Sequence, residues 1–341
     1  MRILTVSDFN IALAAEALKS GLLVAFPTET VYGLGADGFN PTALARVFEV
    51  KNRPRFDPLI IHIARVEGLE LAADLDLLEK ESRQKTGLLC ENLWPGPLTL
   101  ILPKKREVPE LATAGLATVA VRLPDHPAAQ KLIALSTGAV AAPSANPFGR
   151  LSPTRADHVR DQLGDRVDLI LDGGRTRVGV ESTVLDMTGP SPRILRPGGV
   201  PQERIEALIG PVESPPGQGG PVSAPGQLKS HYAPRTPLTL HHPEEMAALT
   251  YEAGTGCLFF RGASRDRWLR YIPGAGPFPG IRVLSEEGNT SEAAANLFDI
   301  LHQLDRLGLS RIRAEEAPLF GLGPAINDRL RKAAAREPSE D

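Results

Sequence analysis

Hydrophobic positions along the chain switch repeatedly between the spacing of helices and the spacing of strands. Ile11, Ala14, Ala15 and Leu18 fall on one helical face, and the short apolar run 22–26 that follows has the pattern of a buried strand. The same switch recurs along the rest of the chain. This alternation predicts an α/β layer structure.

These spacings assign strands and helices to most of the chain. The predicted strands are residues 3–6, 22–26, 59–63, 98–102, 117–123, 138–142, 167–171, 184–187, 192–195, 238–240, 257–260, 281–284 and 312–314. Helices are predicted at 41–51, over most of 66–93, after Pro127, after Ser152, at 202–209, and at two C-terminal stretches, one carrying Leu297 to Leu307 and one following Pro324.

Two strands place polar side chains on one face. Because strand side chains alternate, Thr118, Ala120 and Arg122 share the face opposite to Val119, Val121 and Leu123. In the strand 59–63, Ile60 and His62 likewise share one face. The polar face of an antiparallel sheet often meets only solvent, and a lone strand histidine is more often structural than functional. These two strands alone therefore do not indicate a functional site.

One helix carries a cation where its pattern predicts a buried apolar residue. Asn40 is a candidate N-cap and Pro41 suits the first position, and the inward face is marked by Leu44, Val47 and Phe48. Lys51 continues this face, and Pro54 ends the helix so that Lys51 and Arg53 project together. A buried ammonium needs a partner, for which we expect a phosphate or carboxylate. The alternative is a lysine at a helix C-terminus that reaches water.

Polar loops follow several of the predicted strands. Thr28, Glu29 and Thr30 lie in a loop after the strand 22–26, and two prolines frame a loop that presents Ser144 and Asn146. Ser152 is a predicted cap with Pro153 at the first helical position, and such a helix N-terminus can receive phosphate. Each of these loops is also compatible with a plain turn or connector.

Length and composition narrow the class of protein. A chain of 341 residues predicts two domains, which we place at 1–210 and 236–341, joined by a proline- and glycine-rich linker at 211–235. The formal net charge of −3 argues against a main affinity for nucleic-acid backbone. The two cysteines, Cys90 and Cys257, are far apart and predict neither a disulfide framework nor a zinc site. Without a signal or membrane-spanning pattern, we expect a soluble cytoplasmic protein.

Taken together, these motifs resemble the two-domain form of the threonylcarbamoyl-AMP synthase family, whose catalytic module is the YrdC-like domain. The resemblance covers nearly the whole chain and rests on residues 27–33, 51–54, 57–59, 94–97, 121–124, 143–146, 181–183, 196–198 and 231–234. It implies a YrdC-like twisted mixed sheet flanked by helices, with a smaller Rossmann-like α/β domain at the C-terminus. It also implies that the linker folds over the active site.

The resemblance further implies a reaction and a set of site residues. The enzyme would join L-threonine, bicarbonate and ATP into threonylcarbamoyl-AMP and release pyrophosphate, supplying the threonylcarbamoyl group for an adenosine next to the tRNA anticodon. Lys51 and Arg53 would be catalytic. The implied ATP-binding residues are Lys51, Arg53, Asp57, Thr118, Ser144, Asn146, Ser152, Arg196 and Tyr232. The implied threonine-binding residues are Thr30, His62, Arg122, Ala142 through its carbonyl, and Ser182.

Magnesium is expected with the triphosphate, held chiefly by phosphate oxygens and water, because no carboxylate cluster is evident. Glu29, Asp57 and Glu181 are the candidates for a protein ligand. No residue stands out as a dedicated general base, so positioning and charge stabilisation are expected to dominate. The product would pass to a tRNA threonylcarbamoyl-transferase, and direct tRNA binding is not required.

Two other functions fit part of the pattern. A non-enzymatic RNA-binding module would use the same basic groove, but the near-neutral charge and the lack of basic runs interleaved with aromatic residues weigh against it. Carbamoyl transfer, as in hydrogenase-maturation proteins with a related domain, would need additional cysteine-rich segments. Two isolated cysteines do not supply them.

Overall fold

The computed structural model describes residues 1–213, 231–271 and 278–335, and these residues form two compact units. The first unit comprises Met1–Phe148, Ser152–Arg177 and the described residues from Glu181 to 213. The second comprises Gly149–Leu151, Val178–Val180 and the described residues from 231 onward. Most of the predicted linker, including residues 214–230, lies outside the described residues.

The first unit contains a ten-stranded mixed sheet. Its strands are β1 (Arg2–Thr5), β2 (Val24–Phe26), β3 (Gly33–Asp37), β4 (Ile60–Ile63), β5 (Leu98–Pro103), β6 (Thr118–Arg122), β7 (Ala139–Ala141), β8 (Leu169–Asp172), β9 (Thr183–Asp186) and β10 (Arg193–Arg196). They lie in the order β1-β8-β2-β3-β7-β4-β6-β5-β9-β10. Parallel pairs such as β4–β6 occur together with antiparallel pairs such as β5–β6, as expected for a mixed sheet.

Eight α-helices accompany this sheet. They are α1 (Asp8–Lys19), α2 (Pro41–Lys51), α3 (Leu69–Ala72), α4 (Lys80–Leu93), α5 (Glu110–Thr113), α6 (Pro127–Leu135), α7 (Ala156–Leu163) and α8 (Gln202–Ile209). The large core cluster includes buried residues of α2, α4, α7 and α8 with one face of the sheet. On the opposite face, α1 and α6 pack against Val24, Phe26 and Val140. The face opposite the large core is therefore helix-covered at β2 and β7.

Two local predictions are wrong. The loop predicted at Thr28, Glu29 and Thr30 leads into a strand that was not predicted, β3, in which Gly33 and Gly35 pair with Phe26 and Val24 of β2. A hypothetical Cβ at Gly35 would lie 2.8 Å from Phe26, so the glycine permits close strand packing. Helix α7 begins at Ala156 rather than at Pro153, and its N-cap is Arg155 rather than Ser152 and makes no side-chain cap hydrogen bond.

The second unit is a small α/β fold with a fully parallel sheet. Its strands are β11 (Leu238–His241), β12 (Thr255–Arg261), β13 (Ile281–Ser285) and β14 (Arg311–Glu315), in the order β11-β14-β12-β13. Its helices are α9 (Pro243–Ala248), α10 (Gly262–Leu269), α11 (Thr290–Asp305) and α12 (Gly323–Ala334). Every strand pair is parallel, which confirms the predicted α/β class.

A cavity of about 450 Å³ opens at the carboxyl ends of the neighbouring strands β12 and β14. After β12 the chain enters α10, which contacts β12 and β13, whereas after β14 it enters α12, which contacts β11. The two connections therefore leave in opposite directions, and the cavity lies at this topological switch point. None of the helices in the described ranges combines the length and apolar character needed to cross a membrane.

Candidate functional site

Strand register brings His62 and Arg122 onto one face of the sheet. His62 of β4 is the register partner of Arg122 of β6, and Ile60 is the partner of Ala120. The apolar residues of this face form a small buried cluster of Ile60, Ile101, Ala120, Val184 and Leu195. Alternation correctly predicted that His62 shares a face with Ile60 and Arg122 with Ala120, and the strand register joins these two faces.

His62 is enclosed on this face. It is only 3% exposed, and Nδ1 lies 3.1 Å from the carbonyl oxygen of Ile60. Burial, reinforced by the positive charge of Arg122, lowers the pKa of His62 to about 3. The imidazole is therefore neutral at physiological pH and can act there as a hydrogen-bonding group without adding positive charge.

Arg122 forms a buried ion pair with Glu29 from the loop after β2. Arg122 Nη2 lies 2.7 Å from Glu29 Oε1, and the two side chains are 5% and 1% exposed. Arg122 Nε also donates to the carbonyl oxygen of Gly96 at 3.3 Å. Neither carboxylate oxygen of Glu29 has a hydrogen bond of acceptable geometry within the described residues, and the same holds for Arg122 Nη2. The two groups are close in space, and within the described residues both Glu29 oxygens and Arg122 Nη2 keep unused hydrogen-bonding capacity.

The other predicted threonine-binding residues are buried in the same unit. Thr30 is fully buried, and its hydroxyl lies 2.9 Å from that of Thr28. The Ala142 amide donates to the Ile60 carbonyl oxygen at 3.0 Å, which ties this residue to β4. The Ser182 hydroxyl lies 2.7 Å from the hydroxyl of Thr99, which was not predicted as a site residue.

Lys51 is buried at the end of α2, as its helical position predicts. It is 1% exposed, and Nζ donates to the carbonyl oxygens of Ser144 at 2.6 Å and Asn146 at 2.5 Å. Its pKa is lowered well below the ordinary lysine value by burial and by the charge of Arg53, with Asp57 and Glu181 acting in the opposite direction. Among the described residues its hydrogen-bond partners are carbonyl oxygens rather than the expected anion.

Arg53 and Asp57 form a second buried ion pair. Arg53 Nη2 lies 2.9 Å from Asp57 Oδ2, and the side chains are 4% and 0% exposed. Arg53 also donates to the carbonyl oxygens of Asp57 at 3.1 Å and Pro58 at 2.8 Å. Burial raises the pKa of Asp57, and the positive charges of Arg53, Lys51 and Arg196 oppose this rise. Lys51, Arg53 and Arg196 therefore lie close enough to influence one carboxylate together.

Three further predicted ATP-binding residues belong to the same region. Ser152 is not a helix cap but donates to Glu181 Oε1 at 2.5 Å, and both residues are buried. Arg196 Nη2 donates to the Ser182 carbonyl oxygen at 2.9 Å and reaches its hydroxyl at 3.2 Å. Asn146 is fully buried and donates to the carbonyl oxygen of Pro147.

Gly198 allows the segment after Arg196 to approach β9. A Cβ at Gly198 would lie 2.3–2.4 Å from backbone atoms of Glu181, Ser182 and Thr183. Only glycine fits this position without moving the backbone. The close approach places Arg196 beside Ser182. Position 198 therefore needs glycine for a steric reason, which the sequence alone did not reveal.

Two predicted ATP-binding residues differ from the others, Thr118 in its burial and Tyr232 in the unit to which it belongs. Thr118 is half-buried and is the register partner of Pro103. Tyr232 belongs to the second unit, where it is 1% exposed, its ring centroid lies 5.7 Å from that of Phe298, and the Arg329 guanidinium lies 5.2 Å from it. Its role in binding ATP stays a prediction.

No group of three or more histidine, cysteine, aspartate or glutamate side chains in the described ranges could hold a metal ion. Glu29, Asp57 and Glu181 each face a different partner, namely Arg122, Arg53 and Ser152. The residues that the structure describes therefore form no protein cage for magnesium. A magnesium ion bound mainly through triphosphate oxygens and water needs no such cage.

Known proteins resemble the chain along nearly its whole length. A family model described as telomere recombination matches residues 16–198, and a model described as threonylcarbamoyl-AMP synthase, C-terminal domain, matches residues 200–335. The chain is 43% identical over 334 residues to the threonylcarbamoyl-AMP synthase of Pyrococcus abyssi, covering 96% of this chain and 95% of that protein. It is 42% identical over 339 residues to the Bacillus subtilis protein of the same name, covering 97% and 94%.

A solved structure gives the same correspondence in three dimensions. The crystal structure of the Pyrococcus abyssi protein complexed with L-threonine superposes with a TM-score of 0.85 at 40% identity. The superposition covers 98% of this chain and 98% of that chain. Both units are therefore included in the similarity.

Proposed function

The chain belongs to the threonylcarbamoyl-AMP synthase family and is an adenylyl-transferring enzyme, and on this premise we propose that its buried cations bind ATP and L-threonine. The reaction is the joining of L-threonine, bicarbonate and ATP into threonylcarbamoyl-AMP and pyrophosphate. The observation that carries the site assignment is the burial of Lys51, Arg53, Arg122 and Arg196 in one unit. A buried cation is costly unless it has an anionic partner. Among the described residues Lys51 donates only to carbonyl oxygens, which favours a role with an anionic substrate.

The chemistry explains why cations are needed. The threonine amine first captures bicarbonate to give a carbamate, and a carbamate oxygen then attacks the α-phosphorus of ATP. Both reactants are anionic, so positive groups must offset their repulsion before they can meet. In this proposal Lys51 and Arg53 stabilise the triphosphate and the departing pyrophosphate.

The geometry separates two groups of residues. Lys51, Arg53, Asp57 and Arg196 interact electrostatically and form the proposed phosphate side, together with Ser144, Asn146 and Ser152. Arg122 faces His62 and Glu29 and forms the proposed threonine side, since a guanidinium pairs well with a carboxylate. Ser182, which the resemblance assigns to threonine, also contacts Arg196 of the proposed phosphate side and so joins the two groups.

Magnesium is proposed to enter with ATP, where it would neutralise part of the triphosphate charge. The product is proposed to serve a transferase that modifies the adenosine next to the tRNA anticodon. Neither proposal requires a protein metal cage or a basic surface, which agrees with the formal net charge of −3.

The test is release of pyrophosphate by the full chain with ATP, L-threonine and bicarbonate, omitting each substrate in turn. We expect release only when all three are present, and mass spectrometry should find threonylcarbamoyl-AMP. Release that is unchanged without threonine would contradict the amino-acid pocket. Retention of labelled RNA without any pyrophosphate release would instead favour the RNA-binding alternative.

A further inference from the structure

The Glu29 carboxylate is the least explained charged group on the threonine side. It is 2% exposed, lies 2.7 Å from Arg122, and neither oxygen has an acceptable hydrogen bond within the described residues. A buried carboxylate normally accepts several hydrogen bonds, because removing it from water is otherwise costly. Glu29 therefore has unused acceptor capacity directly beside a guanidinium.

A free amino acid carries both charges on adjacent groups. Its carboxylate needs a cation, and its ammonium, with three N–H donors, needs acceptors. Arg122 and Glu29 present these two complements next to each other, and both side chains are buried. An isolated cation would bind any small carboxylate, whereas the pair favours a ligand with both charges.

We propose that Glu29 receives the α-ammonium of L-threonine while Arg122 receives its carboxylate, and that Glu29 then accepts a proton from that ammonium. The inference rests on the proposed function and assigns to the site the base that sequence patterns did not reveal. Glu29 lies in the same loop as Thr30, so the loop after β2 supplies the anionic half of the pocket.

The proton transfer accounts for the first chemical step. The ammonium N–H bond breaks, its proton goes to a Glu29 oxygen, and the nitrogen keeps the electron pair as a neutral amine. The amine attacks the carbon of bicarbonate, and an amine hydrogen leaves with the bicarbonate hydroxyl as water, which leaves a carbamate. The proton on Glu29 afterwards returns to solvent.

The competing interpretation is that Glu29 only holds Arg122 in place. In that case, its loss weakens the binding of every carboxylate ligand equally. If Glu29 binds the ammonium, its loss weakens only ligands that carry an amino group. The two roles are therefore separated by ligand discrimination rather than by affinity alone.

The experiment measures binding of L-threonine and of 2,3-dihydroxybutanoate, in which a hydroxyl replaces the amino group, by calorimetry on the full chain. For the unmodified protein we expect threonine to bind about 10- to 100-fold more tightly, the usual range for a charge-assisted hydrogen bond. In Glu29→Gln, which keeps the size of the side chain, the two ligands should bind within about threefold of each other because that bond is lost. Unchanged discrimination in this variant would overturn the proposal.

Glu315→Gln is the matched control. Glu315 is also a buried glutamate, 2% exposed, but it lies in the second unit and accepts the Phe260 amide at 2.8 Å. This variant should keep the discrimination of the unmodified protein. Equal loss in both variants would show a general effect of removing a buried charge and would contradict a specific role for Glu29.

A measurement on the unmodified protein covers the case in which Glu29→Gln does not fold. Threoninol lacks the carboxylate and 2,3-dihydroxybutanoate lacks the amino group, so each tests one half of the charge pair. We expect both to bind more weakly than threonine by about tenfold or more. A dihydroxybutanoate affinity equal to that of threonine would refute the role of Glu29, whereas no threonine binding at all would refute the proposed function instead.

Discussion

The neutral state of His62 links this residue to the acid stability of the enzyme. The folded protein holds its pKa at about 3, while the unfolded chain has the ordinary value of 6.5. Between these values the unfolded state binds one proton more than the folded state. Stability is therefore fully present above pH 6.5 and falls as the pH drops toward 3.

Replacing His62 by asparagine should remove this contribution. As the pH is lowered below 6, we expect the unmodified protein to lose free energy of unfolding more steeply than His62→Asn. The difference between the two slopes should be about 1.4 kcal/mol per pH unit. Chemical denaturation at several pH values measures both slopes. Above pH 7 the curves should run parallel, and parallel curves down to pH 4 would contradict the neutral burial of His62.

Lys51 offers a second test at this scale. Lys51→Met fills a similar volume but removes the charge, so we expect pyrophosphate release to fall about 100-fold or more, as when a preorganised stabilising group is removed. The carbonyl oxygens of Ser144 and Asn146 lose their donor, which should cost about 1–3 kcal/mol of stability. Turnover is measured at saturating ATP on protein shown by circular dichroism to be folded. Near-normal turnover in that protein would contradict the role of Lys51.

Single residues were predictable where a local spacing fixed them. The helical period correctly placed Lys51 on the buried face, and strand alternation correctly placed His62 and Arg122 opposite the apolar face of their own strands. The pairing of Glu29 with Arg122 was not predictable, because 93 positions separate them and the contact depends on the path of a loop. The interaction of Ser152 with Glu181 was missed for the same reason, since its local sequence favoured a cap.

At the scale of elements, the close approach of the Gly198 segment to β9 is a steric requirement. Gly198→Ala would place Cβ within 2.4 Å of three backbone atoms, so we expect a loss of about 3 kcal/mol or more in unfolding free energy. Because Arg196 depends on this segment, the affinity for ATP should fall as well. Thermal unfolding and ATP titration measure the two effects.

Gly87→Ala is the control for this substitution. Gly87 is exposed within α4, and a Cβ there would meet nothing within 4 Å. Alanine should stabilise the helix by about 0.5–1 kcal/mol without affecting ATP binding. A Gly198→Ala protein as stable as Gly87→Ala would show that the backbone at Gly198 can move away, against our interpretation.

The elements with strong apolar patterns were predicted well, and those with weak patterns were not. Helix α8 was predicted with its observed bounds, because Gly210 follows a clear helical face. Strand β3 was missed because two of its five residues are glycines that lower the strand signal. Helix α7 starts three residues later than predicted, because Ser152 bonds elsewhere.

At the scale of the whole molecule, the two units are not consecutive stretches of chain. Gly149–Leu151 and Val178–Val180 belong to the second unit, although the residues on either side of them belong to the first. The Ala233 amide donates to the Gly149 carbonyl oxygen at 2.8 Å, and Val180 is fully buried. Sequence patterns predicted one boundary near the linker, because such short excursions carry no periodicity of their own.

Gly179 provides the test of this organisation. It has a φ of +77°, and a Cβ there would lie 2.4 Å from the Ala294 carbonyl oxygen of α11. Gly179→Ala should therefore destabilise the second unit by about 2–3 kcal/mol and the first unit by much less.

The unfolding of each unit can be followed by tryptophan fluorescence, because the chain contains only two tryptophans. Trp94 is buried in the first unit and Trp268 in the second. Urea unfolding followed by fluorescence in Trp94→Phe and Trp268→Phe backgrounds isolates each signal. We expect Gly179→Ala to move the Trp268 transition to lower urea and to leave the Trp94 transition nearly in place. A shift confined to the Trp94 transition would contradict the assignment of residues 178–180 to the second unit, and equal shifts would show that both units unfold as one cooperative body.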